Sequence, residues 1–315
     1  MTHDREISAT FAVDAPPTAI QAAPVQLSAD DSIETAAMQI FRAALDHFVA
    51  NRTIFAQRET VESIHQMRVA LRRLRAAIGL FRAALTGPVL STAAARAKSL
   101  ASALGEARDG DVFLELLAAS PGATQDAPDL AMLIAAAQRR RDAGYCAARE
   151  TLHDATTNRF EDDLRRLIAD RAWSATPGAD EAGSARHFAQ DALARLHKRA
   201  RRKSRDLALQ TPQARHDARI ALKKLRYAAE FFESLFGRQH RTRAFIRALA
   251  ALQDGLGGFN DLAATNRQID FLHANDGSLA LAAGFVRGWF AHAACASGDH
   301  AQESEKRLRG LKPFW

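Results

Sequence analysis

His65-Gln66-Met67-Arg68-Val69-Ala70-Leu71-Arg72-Arg73-Leu74-Arg75 returns 151 residues later as His216-Asp217-Ala218-Arg219-Ile220-Ala221-Leu222-Lys223-Lys224-Leu225-Arg226. The histidine, the cationic positions and the Leu-basic-basic-Leu centre keep one register. A second pair follows in the same order: Leu104-Gly105-Glu106-Ala107-Arg108-Asp109 and Leu256-Gly257-Gly258-Phe259-Asn260-Asp261, 152 residues apart. Two ordered pairs whose separations differ by one residue are what a duplicated helical unit produces, because a loop absorbs a one-residue insertion.

On a helical wheel His65, Arg68, Arg72 and Arg75 fall within about 80°, next to a broad apolar sector of Met67, Ala70, Leu71, Leu74, Ile78 and Phe81. His216, Arg219, Lys223 and Arg226 repeat the stripe against Leu222, Leu225, Ala229 and Phe232. Arg195, Lys198, Arg202 and Arg205 form a third face of the same spacing without a histidine, joined by Arg199, Arg201 and Lys203. Each motif stripe sets one cation per turn along about 15 Å of helix. A helix needing only solubility mixes signs, whereas a one-sign stripe repels itself until a polyanion neutralises it. Arginine forks suit phosphate oxygens and lysine adds a point charge. One basic helix alone would read as a solvated face; three faces of one spacing argue for a binding function. The candidate anion-binding residues are His65, Arg68, Arg72, Arg73, Arg75, His216, Arg219, Lys223, Lys224, Arg226, Arg195, Lys198, Arg199 and Arg202.

The bulk composition agrees. The chain has 315 residues, a formal charge of +7, and an Ala/Leu/Arg-rich mix without period-2 strands, which predicts an all-α protein with acidic partners. Cys146 and Cys295 sit in no CxxC or Cys/His pattern, so neither a disulfide framework nor structural zinc is expected, and a reducing cytoplasm is. No signal peptide is legible, and the apolar runs 131–137 and 279–286 are too short to span a bilayer.

Residues 1–28, rich in Ala, Pro and Thr, read as a flexible tail. A helix is expected behind Ser28, Asp30 and Asp31, then the first motif helix to Gly87-Pro88, then helices near 89–105, 111–119, 127–156 and 158–172. A linker is expected at 173–184. The second half then brings helices near 185–208, 213–236, 239–256, 260–274, 279–295 and 299–310, with Pro212 opening the second motif helix. The halves are thus about 29–172 and 185–315.

Catalytic and cofactor signals are weak. His65 and His216 precede an arginine by one turn on the same face, which favours phosphate contact over metal binding, since no second ligand stands at metal spacing. Asp109, Asp111 and Asp261 read first as helix N-caps and second as partners that hold motif arginines. Gly255-Leu-Gly-Gly258 lacks the ending of a phosphate loop. No catalytic residue, metal or cofactor is assigned. Three other classes stay open: a nucleic-acid-binding helical protein, for which aromatics are sparse on the basic faces; a phosphoryl-transfer enzyme using a histidine, for which no carboxylate or metal partner stands at suitable spacing; and a helical interaction scaffold whose charge is incidental.

The paired His-x-x-Arg-Val/Ile-Ala-Leu-basic-basic-Leu-Arg helices, each followed by a Leu-Gly-x-x-Arg/Asn-Asp turn, resemble the CHAD (conserved histidine α-helical domain) family from about residue 30 to 311, and Arg226-Tyr227 with Glu230-Phe231-Phe232 resembles the extension of its second motif. The resemblance implies two pseudo-symmetric helical bundles around a central basic groove or pore. It also implies non-catalytic binding of inorganic polyphosphate and association with polyphosphate granules. His65, Arg68, Arg72 and Arg75 with His216, Arg219, Lys223 and Arg226 would line the site. Asn260 departs from the family's Arg-Asp pair. A CYTH-type tunnel domain, with its triphosphatase activity, is not expected: Glu6-Ile-Ser-Ala-Thr-Phe lacks the Glu-x-Glu-x-Lys signature, and about 28 residues precede the first helix.

Overall fold

The computed structural model describes residues 18–121, 128–175, 184–207, 210–237 and 239–315. Its order is α1 (Ile33–Gln57), α2 (Val61–Phe81), β1 (Leu85–Thr86), α3 (Pro88–Ala103), α4 (Gly105–Ala118), α5 (Pro128–His153), α6 (Ala155–Ala169), β2 (Ser174–Ala175), α7 (Ala185–Lys203), α8 (Pro212–Phe231), α9 (Gln239–Gly255), α10 (Gly257–Asn275) and α11 (Ala280–Gly310). The protein is all-α apart from a two-residue antiparallel pairing of β1 with β2. Local chemistry starts the helices where it should. Ser32 Oγ accepts from Thr35 N at 3.1 Å, Thr60 and Ser63 close a capping box, and Thr211 caps α8 with Pro212 in its first turn. The cap of α1 is Ser32, one residue beyond the Ser28/Asp30/Asp31 cluster. The helices expected at 279–295 and 299–310 are one continuous α11.

Apolar burial forms two clusters, and each draws on both sequence halves. The larger combines α1, α2, α3 and α6 with α7, α8 and α9, through Phe41, Phe81, Leu71, Leu222, Phe232 and Phe245 among others. At its centre Phe81 stacks on Phe188 with centroids 5.1 Å apart, and Phe232 meets both edge-on. The smaller cluster joins Phe113, Leu117, Leu133 and Ala137 of α4 and α5 to Ile269, Leu272, Val286 and Phe290 of α10 and α11. Duplication in sequence therefore does not give one core per half; each half leaves apolar faces that the other covers. Two glycines set how closely α4 meets α5. A Cβ at Gly144 would stand 2.8 Å from the Ala107 nitrogen, and one at Gly110 would stand 2.9 Å from Arg141 Cβ.

Two expectations about loops change. The flexible tail predicted for 1–28 does not extend through its last eleven residues (residues 1–17 lie outside the described residues). Val25 and Leu27 are buried, Asn51 pairs with both backbone groups of Ile20, and Leu27 N donates to Ser234 Oγ at 2.8 Å. Two apolar side chains and a ladder of polar contacts offset the entropy cost of ordering this Pro-containing strap. The linker predicted for 173–184 begins with an anchor: Trp173 packs edge-on against Phe41 at 5.9 Å, and its Nε1 donates to Glu34 at 3.0 Å. Residues 176–183 of that linker lie outside the described residues.

Candidate functional site

α2 buries Ile64, Met67, Ala70, Leu71, Leu74, Ala77, Ile78 and Phe81, which turns the His65 stripe away from the core. His65, Arg68 and Arg72 are half-buried and Arg75 is exposed. α8 buries Ala218, Ala221, Leu222, Leu225, Ala228 and Ala229. Its Arg219, Lys223 and Arg226 are half-buried, while His216 and Lys224 are exposed. α2 and α8 pack directly on one another, so the two repeated helices meet in space.

The first motif and its Leu-Gly turn form one constellation. Arg68 donates through Nη1 to the Ala101 carbonyl in the last turn of α3, where helix carbonyls lack partners. Gly105 leaves room for it, since a Cβ there would lie 3.0 Å from that nitrogen. Burial, together with Arg72 and Arg108, lowers the Arg68 pKa from its ordinary value, while Asp109 opposes the shift. His65 is lowered first by burial and next by Arg108, with Arg72 and Arg68 adding to the shift and Glu62 opposing it. Three arginines thus crowd one imidazole. Arg108 was not singled out from the sequence, although it stands inside the repeated Leu-Gly turn.

Not all candidates join this face. Arg73 is buried between the motif helices, paired with Glu230 of α8, its guanidinium 4.9 Å from the Phe231 ring centroid and 5.9 Å from that of Tyr227. It is a strut between α2 and α8. Its repeat counterpart Lys224 is exposed, because Gly79 stands where the second repeat has Glu230. Arg195, Lys198, Arg199 and Arg202 are exposed on α7. The N-cap reading of Asp109 and Asp111 fails: both lie inside α4, whose first residue is Gly105. The charge of Asp109 opposes the lowering of the Arg68 pKa. Asp111 is buried and accepts from Arg141 Nε at 2.8 Å and from the Tyr145 hydroxyl at 3.0 Å. Burial and this carboxylate push the Tyr145 phenol well above its usual value. The side chains of Asn260, Asp261 and Cys295 lie outside the described residues.

The stripe has an electrostatic deficit. Nε of Arg72 and of Arg226 is buried without a hydrogen-bond partner among the described residues. Arg226 has Glu230 at 3.6 Å, whereas Arg72 has no ion pair there. Arg140, on α5, was not anticipated. It lies over Phe271 of α10 at 3.4 Å, with Nε and Nη1 buried and without a hydrogen bond among the described residues, and Glu106 3.9 Å away. Buried donors left unmet cost roughly 1–3 kcal/mol each. Among the described residues no group of His, Cys, Asp and Glu could hold a metal ion, and no helix is long and apolar enough to cross a membrane.

Fold and site define an all-helical protein in which two copies of a basic motif helix pack together, the first of them backed by its Leu-Gly turn. The chain belongs to the CHAD domain family, whose profile matches residues 39–270. It is 31% identical to the CHAD domain from the plant Ricinus communis; the crystal structure of that domain superposes with a TM-score of 0.80 over 94% of this chain and 98% of that one. PptA from Streptomyces chartreusis, 17% identical, shares the fold at a TM-score of 0.65 over 90% of this chain and 100% of its own. No curated protein matches the chain.

Proposed function

We propose that this protein is a non-catalytic module that binds inorganic polyphosphate along the α2 and α8 stripes and associates with polyphosphate granules. The observation that carries the reading is the uncompensated positive charge around His65 and Arg72. The charges of Arg68, Arg72 and Arg108 all act on that imidazole, and Arg72 has neither an ion pair nor, at its buried Nε, a hydrogen bond among the described residues. A chain of phosphates supplies both missing parts at once, negative charge and acceptor oxygens at regular spacing. The resemblance of the motif helices to the CHAD family names the polyanion. The single-sign, aromatic-poor faces favour it over single-stranded nucleic acid, which such sites hold by stacking.

The test is titration of the purified protein with polyphosphate of increasing length, with orthophosphate and duplex DNA as competitors. Affinity should rise with chain length and fall steeply with salt. Arg72→Ala combined with Lys223→Ala should weaken binding by about tenfold or more, since charge-assisted hydrogen bonds contribute about 1.5–3 kcal/mol each. Equal affinity for orthophosphate and long chains, or displacement by duplex DNA at equal phosphate, would overturn the reading. Phosphate release from polyphosphate that His65→Ala abolishes would replace it with the enzymatic one. A fluorescent fusion should colocalise with granules and lose that pattern in the Arg72/Lys223 variant.

A further inference from the structure

α7 turns a second cationic face to solvent. Ala185, Phe188, Ala189, Ala192, Leu193 and Ala200 are buried. At about 100° per residue this sets Arg195, Lys198 and Arg202 together on the outer side, with Arg199 at its edge. Cations in a last turn can be explained by the helix dipole, which accounts for Arg201, Arg202 and Lys203. Arg195 and Lys198 stand too far upstream for that. The one acid on α7, Asp191, lies 3.7 Å from His187, and among the described residues no ion pair reaches Arg195, Lys198 or Arg202. The face belongs to the second repeat alone. α1 and α7 start from Ser32 and Ser184, and in that register Ala43, Asp46, His47 and Ala50 stand where α7 has Arg195, Lys198, Arg199 and Arg202.

The end of this face is fastened to the start of the α8 stripe. Lys203 Nζ lies 3.0 Å from Asp217 Oδ2, Gln213 Nε2 donates to Asp217 Oδ1 at 3.2 Å, and Gln210 Nε2 donates to the Lys203 carbonyl at 2.9 Å. Lys203 follows Arg202 and Asp217 follows His216, so the Lys203–Asp217 contact joins the C-terminal end of α7 to the N-terminal part of α8.

We propose that α7 extends the polyphosphate track, so that a chain seated along α8 continues past the Lys203–Asp217 contact onto Arg202, Lys198 and Arg195. This rests on the polyphosphate reading above and adds a length selection to it. The α8 stripe spans about 15 Å and the α7 face about 10 Å more. A short oligophosphate is held on the α2 and α8 stripes, and a long chain engages the α7 face as well, as linked sites.

The test is binding of a short and a long polyphosphate to wild type, to Arg195→Gln/Lys198→Gln/Arg202→Gln and to Arg72→Ala, with melting curves confirming that each variant folds. The triple variant should bind the short chain within about twofold of wild type and the long chain about tenfold or more weaker. Its salt slope for the long chain should fall by about 2, at roughly 0.7 per lost charge. Arg72→Ala should weaken both lengths. A triple variant that matches wild type on the long chain, or that loses both lengths equally, overturns the inference and leaves the binding function standing. Failure of the wild type to bind either chain would overturn both.

Discussion

Replacing Arg73 separates a structural cation from a binding one inside a single motif. Its side chain is 9% exposed and that of its partner Glu230 21%, and the guanidinium also rests on Phe231. Removing one member of a buried pair typically costs about 3–5 kcal/mol. Arg226, 3.6 Å from Glu230, still compensates part of the stranded carboxylate, which places Arg73→Ala at about 3 kcal/mol, the lower end of that range. At roughly 2 °C per kcal/mol for a chain of this size, Tm should fall by about 6 °C. Lys224→Ala, the repeat counterpart, is exposed and should stay within about 0.5 kcal/mol of wild type. Arg73→Met with Glu230→Leu should regain most of the loss, since apolar replacement of a buried pair is often neutral. Urea unfolding and calorimetry on the four proteins, with polyphosphate affinity measured alongside, decide the matter. If Arg73→Ala leaves Tm unchanged and abolishes anion binding, the strut assignment is wrong and Arg73 is a ligand residue.

Gly144→Ala sets a Cβ 2.8 Å from the backbone nitrogen of Ala107, which cannot swing aside, so α4 must move from α5 at a cost of about 1–3 kcal/mol, visible as a lower urea midpoint; an unchanged midpoint would contradict the close approach. Gly105→Ala meets only the tip of Arg68 and should cost about 1 kcal/mol through its hydrogen bond to Ala101, with weaker polyphosphate binding as the accompanying readout. His47, His65 and His197 are all held below the ordinary imidazole pKa, chiefly by burial. The unfolded chain therefore takes up protons first, so stability is full above pH 6.5 and declines as pH falls from there towards the folded pKa values. Unfolding free energies at pH 7.5 and 5.5 should show that decline, and His65→Gln should reduce it. Because a bound anion favours the His65 imidazolium, polyphosphate affinity should rise over the same descent, and a flat profile would remove His65 from contact with the ligand.

The sequence by itself determined the helices, their apolar faces and the duplication. These rest on local periodicity and caps, and a stripe such as His65, Arg68, Arg72 and Arg75 carries its spacing wherever the helix is placed. The family, too, was legible in two ordered motif pairs. The tertiary structure decided what each charge does. Arg73 and Lys224 are equivalent in register, yet Glu230 buries one and leaves the other to solvent. Asp109 and Asp111 looked like caps because a turn precedes them, but α4 already begins at Gly105, and Arg141 and Tyr145 of α5 hold Asp111. Arg108 and Arg140 gained significance only when His65 and Phe271 were brought beside them. A side chain's type and helical phase are properties of a short segment; its desolvation and its counter-charge come from residues far away in the chain, and those set its energy.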